Sequence, residues 1–330
     1  MKPRDIFLRA LRREPTPRHA TGTATSIATV DLMRKTGYFF PEAHLDPEIM
    51  AGLAEAGHTV LGFDNVMPLF SVCHESAAIG CAVDWGAVDL MPDCHRMYSI
   101  GDEIVIPADF LSRPECRVPL RAIELLRKRL GDEVAVIGKV FGPWTLGYHV
   151  FGVEEFLINT ILNPDAVKRA METLKEVTVA FGRAQVEAGA DALTLADHAT
   201  RDLCSPLAYR DFLTDIHIEL NERLGCPVIL HICGDTADRI AYIRETGIPC
   251  FHFDSKVPSA RARELAGEKL SLMGGTSNFN IVRKGTPELI AADVREKKAN
   301  RIDIIGPECA VPLDAPYENL RLIAEEAKRG

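Results

Sequence analysis

Leu230-His231-Ile232-Cys233-Gly234-Asp235 sets an imidazole and a thiol two residues apart at the end of an apolar run. Strand side chains alternate faces, so His231 and Cys233 project to one side and Ile232 to the other. Far along the chain, Pro307-Glu308-Cys309-Ala310 follows a second apolar run and supplies another thiol. One nitrogen and two sulfurs make the donor set of a catalytic zinc site, which keeps three protein ligands and one position open to a reactant. The same residue types also pack as small hydrophobes or hydrogen-bonded core groups, so the pattern needs a fold that joins the two segments. Two carboxylates stand at comparable strand ends. Asp254, after Cys250–Phe253, is a candidate fourth metal ligand, and Asp197 follows Leu193-Thr194-Leu195-Ala196. Each reads equally as a helix cap or as a hydrogen-bond partner of His231.

The chemistry follows from the donors. A free thiol has a pKa near ~8.5 and is mostly protonated at neutral pH, while the thiolate is the reactive form. Coordination to zinc releases the proton and fixes the sulfur in place. Two thiolates and a neutral imidazole balance the dication, which leaves an added substrate thiolate electron-rich. Toward an ether oxygen the same ion acts as a Lewis acid. An anionic reactant would call for a cation, and Lys139, Arg183 and Arg201 are the candidates. His198 is a candidate acid or base at the rim, and Glu75 a candidate interior carboxylate.

These residues must be positioned by βα units. From about residue 130 onward, apolar runs alternate with helix-compatible stretches, the pattern of a parallel sheet. The predicted strands are Val134–Val140, Ala192–Ala196, Pro227–Ile232, Pro249–Phe253, Leu270–Met273 and Ile302–Ile305, with 21–27 and 59–68 supplying two more. Helix starts are marked at Asn163-Pro164-Asp165, Ser205-Pro206, Thr286-Pro287-Glu288 and Ala315-Pro316, and Met1–Arg13 reads as a helix. Eight strands suit an α/β fold of the (β/α)8 barrel type, with an N-terminal helical elaboration and a single domain over residues 1–330. No Gly-x-Gly-x-x-Gly follows the first strand, so a dinucleotide-binding open sheet lacks its main signature. In a barrel the active site gathers at the C-terminal ends of the strands, where both metal segments fall.

Composition narrows the function. A net charge of −9 argues against a nucleic-acid binder, which needs clustered cations to displace counterions. The first residues mix charged and apolar positions at helical spacing, and no long apolar run follows, so a cytoplasmic, non-membrane protein is expected. Nine cysteines are scattered without a framework spacing, as suits a reducing compartment.

His-x-Cys near two-thirds of the chain with a single Cys near its end resembles the methylcobamide:coenzyme M methyltransferases of the uroporphyrinogen decarboxylase superfamily. Further text agrees in order: Thr29-Val30-Asp31-Leu32-Met33, Gly37, Phe40-Pro41-Glu42-Ala43-His44, Asp46-Pro47-Glu48 and Gly62-Phe63-Asp64. Glu75, Gly80-Cys81, Asp84-Trp85-Gly86, Leu195-Ala196-Asp197 and Ser205-Pro206 continue it. The resemblance covers nearly the whole chain. It implies a (β/α)8 barrel, zinc at His231, Cys233 and Cys309, and a corrinoid-carrying protein as partner. It also implies methyl transfer between a methylcobamide and a thiol such as coenzyme M; Asp197, His198, Arg201 and Glu75 are the candidates for contacts with the cofactor. Phe141-Gly142-Pro143-Trp144 then reads either as the corrinoid entry or as a segment with a core tryptophan.

Departures bear on the substrate. Thr25-Ser26-Ile27-Ala28 stands where Thr-Gln-Thr-Gly is expected, His198 where a proline is usual, and Tyr38 where the parent decarboxylases carry a second arginine. An ether-demethylating zinc enzyme that passes methyl from a methoxylated aromatic to a corrinoid is therefore the alternative. A metal-free binding or decarboxylase-like barrel is the third reading.

Overall fold

The computed structural model describes residues 1–329. Eight parallel strands form the central sheet: β1 (Ala20–Thr21), β2 (Asn65–Val66), β3 (Ala135–Phe141), β4 (Ala192–Ala196), β5 (Val228–His231), β6 (Cys250–Phe253), β7 (Ser271–Thr276) and β8 (Ile304–Pro307). Their spatial order is β1-β8-β7-β6-β5-β4-β3-β2. The seam between β1 and β2 is joined largely by side chains. Asp64 N donates to Thr21 O at 2.8 Å. The Asn65 amide then imitates a strand, accepting from Thr23 N at 2.9 Å and donating to Thr23 O at 2.8 Å. The sheet is therefore a nearly closed (β/α)8 barrel.

The strands are buried along their whole length because both faces are covered, as parallel barrel strands require. Helices begin where proline and capping residues dictate. Pro164–Glu187 and Pro206–Arg223 carry proline in the first turn, and the Ser205 hydroxyl accepts from Ala208 N at 3.1 Å. Pro287–Ala299 and Tyr317–Lys328 complete the last two units.

The first third departs from the expected strands. Of residues 21–27 only Thr21 lies in a strand, the two-residue Ala20–Thr21, because the Thr23 hydroxyl donates to Thr25 O and turns the chain out of the sheet. Residues 59–68 contribute only Asn65–Val66, since Thr59 is the last residue of a helix that begins at Pro47. The expected elaboration is present as helices Val30–Thr36, Glu42–Leu45, Pro47–Thr59 and His74–Ile79 with a small hairpin, Val83–Asp84 against Asp93–Cys94. Among the described residues no helix is long and apolar enough to cross a membrane.

Candidate metal centre

Register fixes the site. Phe141, Ala196, His231 and His252 pair in one row across β3, β4, β5 and β6. Lys139, Thr194, Ile229 and Cys250 form the row two residues below, one inward-facing layer deeper. At the C-terminal rim the ligand atoms of His231, Cys233 and Cys309 lie within 4.8 Å of one another. Cys309 Sγ stands 3.5 Å from His231 Nε2. The two segments separated in sequence are thus brought together.

His231 faces its donor atom inward because of a relay that the sequence reading missed. Its Nδ1 lies 2.7 Å from Nδ1 of His252, and His252 Nε2 lies 2.8 Å from Pro307 O. A carbonyl oxygen only accepts, so His252 donates through Nε2 and keeps a bare Nδ1. His231 must then donate through its own Nδ1, which leaves Nε2 with a free lone pair aimed at the thiols. Burial holds His252 well below the ordinary imidazole pKa, and the ring stays neutral. The alternation Cys250-Phe251-His252-Phe253-Asp254 was the available signal, a polar side chain on the inward face of a buried strand. Gly274, at φ +92°, makes room for it: a Cβ there would meet the His252 ring at 2.6 Å.

The cysteine loops are held from behind. After Cys233 the chain turns at Gly234, whose φ is +83° and whose N–H donates to Asp254 Oδ2 at 2.8 Å. Asp254 Oδ1 accepts from Lys256 N at 2.9 Å. Asp254 thus stands outside the three-donor group, and its two oxygens clamp the loops after β5 and β6. The Glu308 carboxylate accepts from Ser255 N at 2.9 Å and Asn278 N at 2.8 Å, pinning the Cys309 loop. Side by side in this group, the two thiols are driven apart: their pairing holds Cys233 below the ordinary thiol range and, with burial, pushes Cys309 above it. One nitrogen and two sulfurs, with no carboxylate among them, fit a zinc ion better than a hard cation.

The cavity beside these donors measures about 400 Å³, near the small end of the ~300–1,000 Å³ usual for ligand pockets. Phe70, Val72, Met91, Phe141 and Val153 give it apolar walls, while Lys139, Thr25 and His198 add polar ones. The other residues singled out in the sequence lie at varied distances from it. Asp197 reaches the wall, but it is fully buried and its oxygens accept from Thr145 N at 2.8 Å, Thr145 Oγ1 at 3.3 Å and His217 Nε2 at 3.1 Å. Glu75 is buried behind the wall; Oε1 accepts from Phe141 N at 2.9 Å, and Oε2 has no partner. Burial pushes its carboxyl up to about 7. Arg201 is exposed and pairs with Asp235 at 2.8 Å, outside the cavity. Arg183 is exposed on the outer helix. Trp144 is a core residue, edge-on to Tyr148, Phe156 and Phe212.

The family model for uroporphyrinogen decarboxylase (URO-D) matches residues 2–330. The chain is 33% identical over 301 residues to the methylated-thiol–coenzyme M methyltransferase of Methanosarcina mazei, covering 91% of this chain and 82% of that protein. It is 29% identical to a methylcobamide:CoM methyltransferase, MtbA, of Methanosarcina acetivorans, covering 99% and 97%. A solved methyltransferase from Methanosarcina mazei superposes with a TM-score of 0.96 at 27% identity, covering 99% of this chain and 98% of that one. Together, the barrel and the full-length matches establish that the chain belongs to the uroporphyrinogen decarboxylase family and resembles its methylcobamide:coenzyme M methyltransferase members.

Proposed function

We propose that the chain is a zinc-dependent methyltransferase that moves a methyl group between a corrinoid, presented by a carrier protein, and a thiol such as coenzyme M. The observation that carries this reading is the convergence of His231, Cys233 and Cys309 beside a cavity of small-molecule size. The names of the full-length relatives support it.

His231, Cys233 and Cys309 would hold the ion, which when bound supplies a Lewis acid for the substrate sulfur and lowers its pKa. The protein's own groups prepare that chemistry. His252 retains the His231 proton on Nδ1 and so keeps Nε2 available. The apolar walls keep water from the reacting sulfur. In the overall exchange the thiol gives up its proton and a sulfur–carbon bond forms. The cobalt–carbon bond breaks, and its electron pair stays on cobalt. His198, exposed where it lines the cavity, would face the corrinoid carrier.

The test is anaerobic incubation of the zinc-supplemented full chain with methylcobalamin and 2-mercaptoethanesulfonate. Decay of the methylcobalamin absorbance, abolished by Cys309→Ala, is expected. No spectral change with any thiol would contradict the proposal.

A further inference from the structure

The chain buries three lysines to 5% exposure or less: Lys139, Lys175 and Lys297. Two of them are neutralised. Lys175 pairs with Glu172 and Glu219, and Lys297 with Asp293 at 3.0 Å and Glu296 at 2.6 Å. Lys139 is different. Its backbone N and O are both bound by Gln185, at 2.9 and 2.8 Å. Its Nζ lies 5.2 Å from the centre of the Phe141 ring, and among the described residues no carboxylate comes within ion-pair distance. The nearby Glu75 keeps its free oxygen unpartnered rather than turning it to the ammonium.

An uncompensated ammonium in a protein interior costs several kcal/mol relative to water. This one is not sealed in the core. Lys139 lies on the inward face of β3, one layer below the row of His231 and His252, and lines the same cavity as His231, Cys233 and Cys309. It is the only lysine or arginine among the described lining residues. A second polar group points to the same missing partner: the Thr25 hydroxyl, on a residue 5% exposed, also lines the cavity and has no hydrogen-bond partner. A cation one layer down and a free hydroxyl in the same cavity, with the imidazole and thiols at the rim, match a short molecule with sulfur at one end and an anion at the other. The depth of the layer favours a small substrate over any group on a large macrocycle.

We propose that Lys139, with the Thr25 hydroxyl, is the specificity-determining anion site of the cavity and selects thiols that carry a small negatively charged group. The assignment rests on the thiol reading above for its role, though not for the existence of the anion site.

Binding to the full chain separates the two. Calorimetry with ethanesulfonate and with propionate, neither of which has a sulfhydryl, is performed on metal-free protein of wild type, Lys139→Met and Thr25→Val. At least one anion is expected to bind wild type, at least tenfold more weakly to Lys139→Met, and measurably more weakly to Thr25→Val. A melting temperature at or above that of wild type for Lys139→Met would confirm that the variant is folded. In the methylcobalamin assay, the ratio of kcat/KM for 2-mercaptoethanesulfonate to that for 2-mercaptoethanol should fall at least tenfold in Lys139→Met. Failure of wild type to bind either anion, equal binding by wild type and Lys139→Met, or an unchanged ratio would overturn the assignment. Lys139-dependent anion binding without thiol methylation would uphold the anion site and reject the thiol reading.

Discussion

His231 and His252 face each other across β5 and β6 with their Nδ1 atoms 2.7 Å apart, so one proton between the rings sets the tautomer of both. The far side of His252 is fixed by Pro307 O, two residues before Cys309. One imidazole therefore links the strand that carries His231 to the loop that carries Cys309. Partners of metal-bound histidines commonly contribute 10–100-fold to metal affinity. His252→Ala is expected to weaken zinc binding in that range, measured by competition with a chromophoric chelator. An affinity unchanged within a factor of two would show that the relay has no part in preparing the site.

Asp254 serves in this structure as a clamp on Gly234 and Lys256. Removing its carboxylate leaves two amides without their acceptor, at a cost of about 1–3 kcal/mol. Asp254→Ala should lower the denaturation midpoint while retaining one zinc per chain. If the metal content falls below half an equivalent in folded protein, the carboxylate is a ligand instead.

Asp197 makes a similar distinction between support and contact. Thr145 and His217 converge on it in a fully buried position, and His217 Nδ1 continues to the Tyr209 hydroxyl at 2.9 Å. Asp197→Ala strands these donors and is expected to destabilise the fold by about 3 kcal/mol or more. Chemical denaturation measures it. A variant of native stability with only a raised KM would make Asp197 a substrate contact.

Glu75 gives a pH dependence. Its carboxyl is raised by burial to about 7 from an ordinary 4.5. The folded chain thus holds this proton more tightly than the unfolded chain does. The stability it contributes is complete below pH 4.5 and is lost as the pH rises through about 7. Glu75→Gln keeps an oxygen for Phe141 N–H without the ionisation, so it should gain on wild type between pH 5 and 8. The gain is on the order of 3 kcal/mol at full ionisation. Parallel stability profiles for the two proteins over that range would refute this assignment.

The strands of the second half and their helix caps were legible in the sequence. Fully buried Val/Ile/Leu runs and Pro-led helices are local signals, and β3 to β8 fall within or beside the predicted runs. The first two strands were legible only as candidates. They are two residues long, and the Asn65 side chain supplements the backbone bond from Asp64 N to Thr21 O in completing their seam. His231, Cys233 and Cys309 could be named because alternation and strand-end position are sequence properties. His252 and the isolation of Lys139 could not. Both depend on which strands become neighbours, and on where carboxylates such as Glu75 turn once packed. Arg201 illustrates the opposite failure: its place beside Asp197 in sequence suggested the cavity, while its side chain reaches outward to Asp235.

The proposed chemistry requires that His231, Cys233 and Cys309 share one ion. X-ray absorption at the zinc edge, with metal analysis of the same purified sample, measures this directly. One zinc per chain is predicted, with two sulfurs near ~2.3 Å and one histidine nitrogen near ~2.0–2.1 Å in the first shell. Both the metal content and the sulfur shell should be lost in the Cys233→Ala, Cys309→Ala double variant. Folded wild-type protein that takes up no zinc, or binds it through oxygen alone, would contradict the account.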